Sequence, residues 1–208
     1  KLITKFSSIY ISDNNYWNYF EEKYQKKHFI IKGYFEDNNI FMKHINKIRN
    51  WFPLQKKTNI NDLVLHFRGG DRLFYKNEFA YKPSPESFIS AINKFEFDKL
   101  YIVTDMPFWN YITAKELEKQ IFHVKVKKQM SIPIQSSVNY FNSIVNALEK
   151  FDPILYKKNI SDEFNFIRSF DKILFQHSTT AWWAARLSYA SKVGVSRGWR
   201  NWKLNNKK

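Results

Sequence analysis

From Leu63 onward, short apolar runs alternate with longer segments whose apolar residues recur every three to four positions. The runs Leu63–Phe67, Lys99–Asp105, Ile121–Val126, Lys172–Gln176 and Lys192–Val195 read as strands. Between them lie helix-period segments. One opens at Ser84-Pro85-Glu86, an N-cap followed by proline at the first helical position, and runs to Lys94. The others cover Phe108–Gln120, Ser137–Lys150, Glu163–Phe170 and Ala181–Tyr189. A chain that alternates strand and helix has few ways to bury both. The expected solution is a parallel sheet with helices on both faces, an α/β fold of the Rossmann type.

The segment before Leu63 is less regular. A short strand fits within Ile3–Ile11, and Asp13-Asn14-Asn15 reads as a turn or cap. Tyr16–Tyr24 carries aromatic residues at helical spacing, and His28–Lys32 is a strand ended by Gly33. Phe41–Phe52 has one apolar face and stops at Pro53. Polar residues 56–61 look like a connection, which gives a smaller lobe at 1–57 and a larger domain at 58–208. The opening Lys1-Leu2-Ile3-Thr4 has neither an initiating Met nor the apolar core of a signal peptide, and it reads as the start of a fragment or a processed product.

Composition narrows the chemistry. An apolar fraction of 44% over 208 residues supports a packed core and argues against disorder. With no cysteine, disulfides, thiolate nucleophiles and cysteine-based zinc sites are excluded. No run of about 18 apolar residues is present, so nothing is expected to span a membrane. The net charge of +15 points to an anionic partner: nucleic acid, a membrane surface, or a phosphorylated small molecule. Most of that charge is lysine scattered along the chain, and no RNP-like aromatic motif accompanies it.

Three polar clusters fall at expected strand ends: His66 to Arg72, Thr104-Asp105, and Gln176 to Thr180. In an open α/β sheet the carboxyl ends of the strands share one edge, where ligands bind. Arg68 is suited to gripping phosphate oxygens with parallel N–H donors. Gly69 and Gly70 allow a ligand to approach the backbone closely. Ser178, Thr179 and Thr180 precede a helix, whose first N–H groups make an anion seat. Each cluster also has a plainer explanation: a charged turn for the first and helix caps for the other two. No G-x-G-x-x-G or P-loop fingerprint occurs, and no metal-ligand spacing is evident.

Four segments, in order, resemble the α-1,2-fucosyltransferase family of GDP-fucose-dependent glycosyltransferases. Ile31-Lys32-Gly33-Tyr34-Phe35-Glu36 through Phe41 resembles its Leu-x-Gly-Tyr-Phe-Gln segment. Val64-Leu65-His66-Phe67-Arg68-Gly69-Gly70-Asp71 resembles its His-x-Arg-Arg-x-Asp motif. Tyr101–Asp105 through Trp109 resembles its Phe-Ser-Asp-Asp…Trp segment. Ile173 to Leu187, with Ser178-Thr179-Thr180-Ala181-Trp182-Trp183-Ala184-Ala185, resembles Asn-Ser-Ser-Phe-Ser-Trp-Trp-Gly-Ala, whose Asn-Ser-Ser start is His177-Ser178-Thr179 here. Gly69 stands where the family has its second arginine. The family's Gly-Gly-Leu-Gly-Asn-Gln signature does not occur in these 208 residues.

The resemblance implies a GT-B-like fold in which 58–208 is the Rossmann-like GDP-sugar domain and 1–57 a partial acceptor-side lobe. It implies metal-independent, inverting transfer of fucose from a nucleotide-sugar donor to a hydroxyl of a glycan acceptor, with no cofactor beyond the donor. Arg68 would hold the β-phosphate, and His66 the diphosphate or ribose. Gly70 would line the donor, and Ser178 and Thr179 would seat phosphate. Asp162 or Glu163 would read the guanine edge. Asp71 is the nearest carboxylate to serve as catalytic base, with Glu78 next; Asp71 could equally pair with Arg68 or Arg72 to hold the loop. The expected location is cytoplasmic, with basic charge available for peripheral attachment to a membrane. Two other functions remain open: a non-catalytic nucleotide- or glycan-binding remnant, motivated by Gly69, and a nucleic-acid-binding protein, motivated by charge alone. Nucleic acid is not the expected partner.

Overall fold

The computed structural model describes residues 9–12, 29–32, 38–53, 56–74, 82–120 and 132–195; side chains are described from residue 41 onward, those of Asp71 and Gln120 excepted. The chain divides into two compact units, Lys1–Ile48 and Arg49–Lys208. In the first, strands β1 (Ile9–Ser12) and β2 (Phe29–Lys32) pair in parallel, Ile9 opposite Phe29. Helix α1 spans Asn38–Lys43, and α2 (Ile45–Trp51) runs across the division.

The second unit is α/β. Its elements are β3 (Asn59–Phe67), a 3₁₀ turn at Gly70–Phe74, α3 (Pro85–Ile92), β4 (Leu100–Thr104), α4 (Ala114–Gln120), α5 (Ile134–Glu149), β5 (Ile154–Tyr156), α6 (Ile160–Arg168), β6 (Phe170–Phe175), α7 (Thr179–Leu187) and β7 (Lys192–Val195). The strands form one sheet in the order β5-β4-β3-β6-β7, with every neighbouring pair parallel. The chain moves outward from β3 through β4 to β5. It then returns to the other side of β3 for β6 and moves outward again to β7. The order therefore reverses between β3 and β6.

Alternation along β3 sorts its side chains. Leu63, Leu65 and Phe67 join Leu100 and Ile102 of β4 on one face, against Phe88 and Ile92 of α3, Leu117 of α4 and Val138, Phe141, Ile144 and Leu148 of α5. The three-to-four spacing along α5 is what lets one stripe of that helix cover the sheet. Phe67 is the hub of this core. Its ring lies 5.3 Å from Trp109, 5.9 Å from Phe88 and 6.0 Å from Phe141. On the opposite face Tyr101 meets Phe166 of α6 and Phe170, each at 5.5 Å, and α7 buries Ala181, Trp182, Ala184 and Ala185. With both faces covered, β3 ends in five consecutive buried residues, the signature of a central parallel strand.

Several boundaries differ from the sequence-based ones. The expected helix Phe108–Gln120 begins only at Ala114. The Asn142 side chain explains this: its Nδ2 donates to Ile112 O at 2.9 Å and its Oδ1 accepts from Ile112 N–H at 3.0 Å, so Ile112 pairs like a strand residue. Thr113 and Glu116 then form a reciprocal capping box that starts α4. The expected helix Glu163–Phe170 instead begins at Ile160, capped by Asn159, and Phe170 opens β6. Strand β3 starts earlier than expected, at Asn59, within the polar stretch read as a connection. Strand β5 was not expected at all. The expected helix Phe41–Phe52 is two helices, α1 and α2, that meet at His44. The expected strand Ile121–Val126 and helix Tyr16–Tyr24 lie outside the described residues. No helix among the described residues is long and apolar enough to cross a membrane.

Because Phe141 is fully buried and its ring meets those of Phe67, Phe108 and Trp109, truncation there leaves a cavity at the centre of the core. Phe141→Ala should lower the unfolding free energy by about 3–5 kcal/mol in urea titrations.

Candidate functional site

The strand order reverses between β3 and β6, and the carboxyl edge at such a reversal is the place where doubly wound folds bind ligands. The loops after β3 and β6 are laced together there. Gln176 N–H donates to His66 O at 3.2 Å, and Arg68 N–H donates to Gln176 Oε1 at 3.0 Å. Gln176 is 1% exposed, so both bonds are sheltered from water and extend the β3/β6 ladder past the strand ends.

The loop after β3 is also braced from β4. Thr104 Oγ1 accepts from Met106 N–H at 3.1 Å, which turns the chain at the strand end. That turn presents Asp105 to the neighbouring loop. Its Oδ1 accepts from Gly69 N–H at 2.7 Å, and its Oδ2 lies 3.3 Å from Arg68 Nε. Gly70 has a φ of +26°, and a Cβ there would overlap Asp105 Oδ2. Glycine at 70 is thus required by both the backbone angle and the carboxylate. At position 69 a Cβ would stand 2.9 Å from Met106 Sδ and 3.1 Å from Phe67 Cε1, and closer still to Met106 Cγ. The site offers no space for a side chain at 69 unless Met106, which is buried in the core cluster, moves aside.

Helix α7 begins at the same edge. Ser178 is its N-cap, with Oγ accepting from Ala181 N–H at 3.4 Å, and Thr179 is its first residue. The positive end of the helix dipole therefore faces the edge that carries Arg68.

Two histidines report the field. His66, 6% exposed, is pushed down to about 4 by burial, then by Arg68 and Lys157. His177 is lowered by burial, then by Arg72 and by Arg68. Both are neutral at pH 7, and His66 Nδ1 is buried without a hydrogen-bond partner. Cations from the β3 loop, the 3₁₀ turn and the β5–α6 loop thus converge on one edge.

The structure brings His66, Arg68 and Gly70 together with Ser178 and Thr179. Asp71 lies in the 3₁₀ turn directly after Gly70, and its side chain is outside the described residues. Asp162 and Glu163 lie in the first turn of α6, following β5. That is the same edge, two strands from β3, about 10 Å at the spacing of neighbouring strands. Both carboxylates have protein partners. Asp162 Oδ2 accepts from Asn159 Nδ2 at 2.7 Å. Glu163, 7% exposed, accepts from Lys158 N–H at 3.1 Å and pairs with Lys157 Nζ at 3.0 Å, while Lys157 also donates to Thr104 O. Sequence reasoning places Asp105 and Gln176 in polar clusters at strand ends, with helix capping as the alternative, and does not assign either to bracing the loop after β3. Their signal is position alone, a polar residue directly after an apolar run.

No protein-family model, curated protein or solved structure matches this chain. Among the described residues no group of three His, Asp or Glu side chains could hold a metal ion.

Two outcomes are expected. His66 refuses a proton in the folded state that the unfolded chain binds below pH 6.5. Stability should therefore fall as pH drops from 6.5 to about 4, by on the order of 3 kcal/mol, and His66→Gln should flatten that part of the urea-stability profile. Gly69→Arg alone should cost about 1–3 kcal/mol through overpacking, and adding Met106→Ala should recover part of it, giving a non-additive cycle in thermal or urea unfolding.

Proposed function

We propose that the second unit binds the diphosphate of a nucleotide sugar at the β3/β6 reversal and that the chain transfers the sugar to a hydroxyl of a glycan. Fucose carried on GDP is the donor that the resemblance in four segments favours. The parallel sheet would then be the donor half of a GT-B-type enzyme. The observation that carries this is the position of Arg68: at the carboxyl end of the central strand, its backbone held by Gln176 and its guanidinium by Asp105, on the edge where α7 presents its N-terminus.

The chemistry follows from charge. As the acceptor oxygen attacks the anomeric carbon, the bond to the β-phosphate oxygen breaks and the nucleoside diphosphate leaves with the bonding pair. The leaving group gains negative charge, which Arg68 and the α7 N-terminus stabilise without having to reorganise. A neutral His66 can donate a hydrogen bond without adding charge. The acceptor proton goes to a carboxylate, for which Asp71 is the nearest residue in sequence. Asp162 and Glu163, two strands along the edge, lie at a distance a guanosine can span from its β-phosphate.

One observation favours a second function. Gly69, packed against Met106, leaves this loop without the second arginine of the resembling family, which suits a nucleotide- or glycan-binding protein without transfer activity.

Calorimetry with GDP and UDP, followed by transfer assays with GDP-fucose, separates these. GDP should bind more tightly than UDP, and Arg68→Ala should weaken GDP at least tenfold, the loss of one charge-assisted contact. Asp71→Asn should abolish transfer while leaving GDP binding within about twofold, a change below 0.5 kcal/mol. Binding without transfer in the unmodified protein would select the second function. Equal affinity for GDP and UDP, or an Arg68→Ala variant that binds like the parent, would sink the donor-site assignment.

A further inference from the structure

A diphosphate carries two phosphoryl groups, and position 69 cannot supply the second cation. The chain continues from Gly69 into the 3₁₀ turn Gly70–Phe74, closed by Leu73 N–H donating to Gly69 O at 3.1 Å. Such a turn has three residues per revolution, so residues 72, 73 and 74 point in three directions about 120° apart. Leu73 and Phe74 fix the phase, because both are buried in the core cluster. Leu73 O is held from outside the turn as well, accepting from Ser137 Oγ at 2.5 Å and from Lys82 Nζ at 2.6 Å. With Leu73 and Phe74 taking two of these directions into the core, Arg72 takes the remaining one. Arg72 is half-buried, with its Nε buried.

Resting on the donor-site assignment above, we propose that Arg72 supplies the second positive charge of the anion seat, in place of a residue at position 69, and so makes the seat selective for a diphosphate over a single phosphate. Arg68 and Arg72 stand before and within the turn, and α7 starts at the end of the neighbouring strand β6. The position of His177 supports this. It precedes Ser178 at the start of α7, and the charges that suppress its protonation, after burial itself, are Arg72 first and Arg68 second. The charge of Arg72 is thus felt at the end of β6, the strand on the other side of the reversal. Arginine at this point can present two parallel donors to one phosphoryl group.

The test compares GDP with GMP by calorimetry in the parent, Arg68→Ala, Arg72→Ala, Arg72→Gln and Arg72→Lys, with thermal melts to confirm folding. The parent should prefer GDP. Arg72→Ala and Arg72→Gln should lose about tenfold in GDP affinity and leave GMP within about twofold, about one charge-assisted contact removed. Arg72→Lys, which keeps the charge, should retain most of the preference and carries the test if the other two melt below assay temperature. Arg68→Ala should weaken GDP at least tenfold. His177 should also gain proton affinity in Arg72→Gln and not in Arg72→Lys, read by NMR titration of the nucleotide-free protein. If the parent binds GDP and Arg72→Gln weakens GDP and GMP equally or neither, the role of Arg72 is overturned and the donor site stands. An unmoved His177 titration overturns the placement of Arg72 by itself. If the parent binds neither nucleotide, the donor site falls and the role of Arg72 with it.

Discussion

The carboxylate of Asp105 is the point on which the carboxyl edge turns. One oxygen holds Gly69 N–H and the other holds the Arg68 guanidinium, so two adjacent residues of one loop are fixed by a single group from the next strand. About a third of each side chain in the ion pair is exposed, and an exposed pair contributes about 0–1 kcal/mol. The contribution of the brace lies in direction more than in stability. It holds a carboxylate beside the guanidinium and sets the path of the backbone into the 3₁₀ turn. Two glycines make that path available, Gly70 by accepting a positive φ beside the carboxylate and Gly69 by leaving room for Met106.

A collection of cations at one edge repels itself, and the fold offsets this in three ways. Glu163 pairs with Lys157, Asp105 pairs with Arg68, and both histidines stay neutral. Burial alone would depress a histidine. That arginines add to the effect in both His66 and His177 shows that the β3 loop and the start of α7 share one electrostatic environment, although they are more than a hundred residues apart in the chain. An anion placed there would relieve the remaining repulsion, so occupancy and stability of this edge are coupled.

Much of this arrangement is legible in the residues. The apolar runs within β3, β4 and β6 are continuous because a parallel sheet is buried on both faces, and such runs survive without tertiary information. Strand β5 leaves no such trace, since it is three half-exposed residues at the sheet's edge after Pro153, too short to show a period. The late start of α4 is hidden for a different reason. Phe108–Ile112 has helical spacing, yet Asn142, thirty residues away, takes both backbone groups of Ile112. Within the site, Arg68 and Ser178 can be singled out by residue type and position. Asp105 and Gln176 cannot, because their function is to bond backbone in another loop, and a strand-end polar residue looks the same whether it caps its own turn or braces its neighbour's.

Gly69 is where the packing and the charge of this edge meet. The apolar core does not stop at the end of β3: Phe67 and Met106 carry it beneath the loop, and Met106 occupies the volume that a side chain at 69 would need. A loop seated on filled core is held in place without ordering a long side chain, which would cost about 1.5–2 kcal/mol of rotamer freedom for an arginine. Any charge missing at 69 must then come from a residue whose backbone is already fixed by the same core. The 3₁₀ turn meets that condition, because Leu73 and Phe74 anchor it and Gly69 O closes it. Packing under the loop and charge above it are therefore linked, and a change at Met106 would act on the electrostatics of the site without touching a charged group.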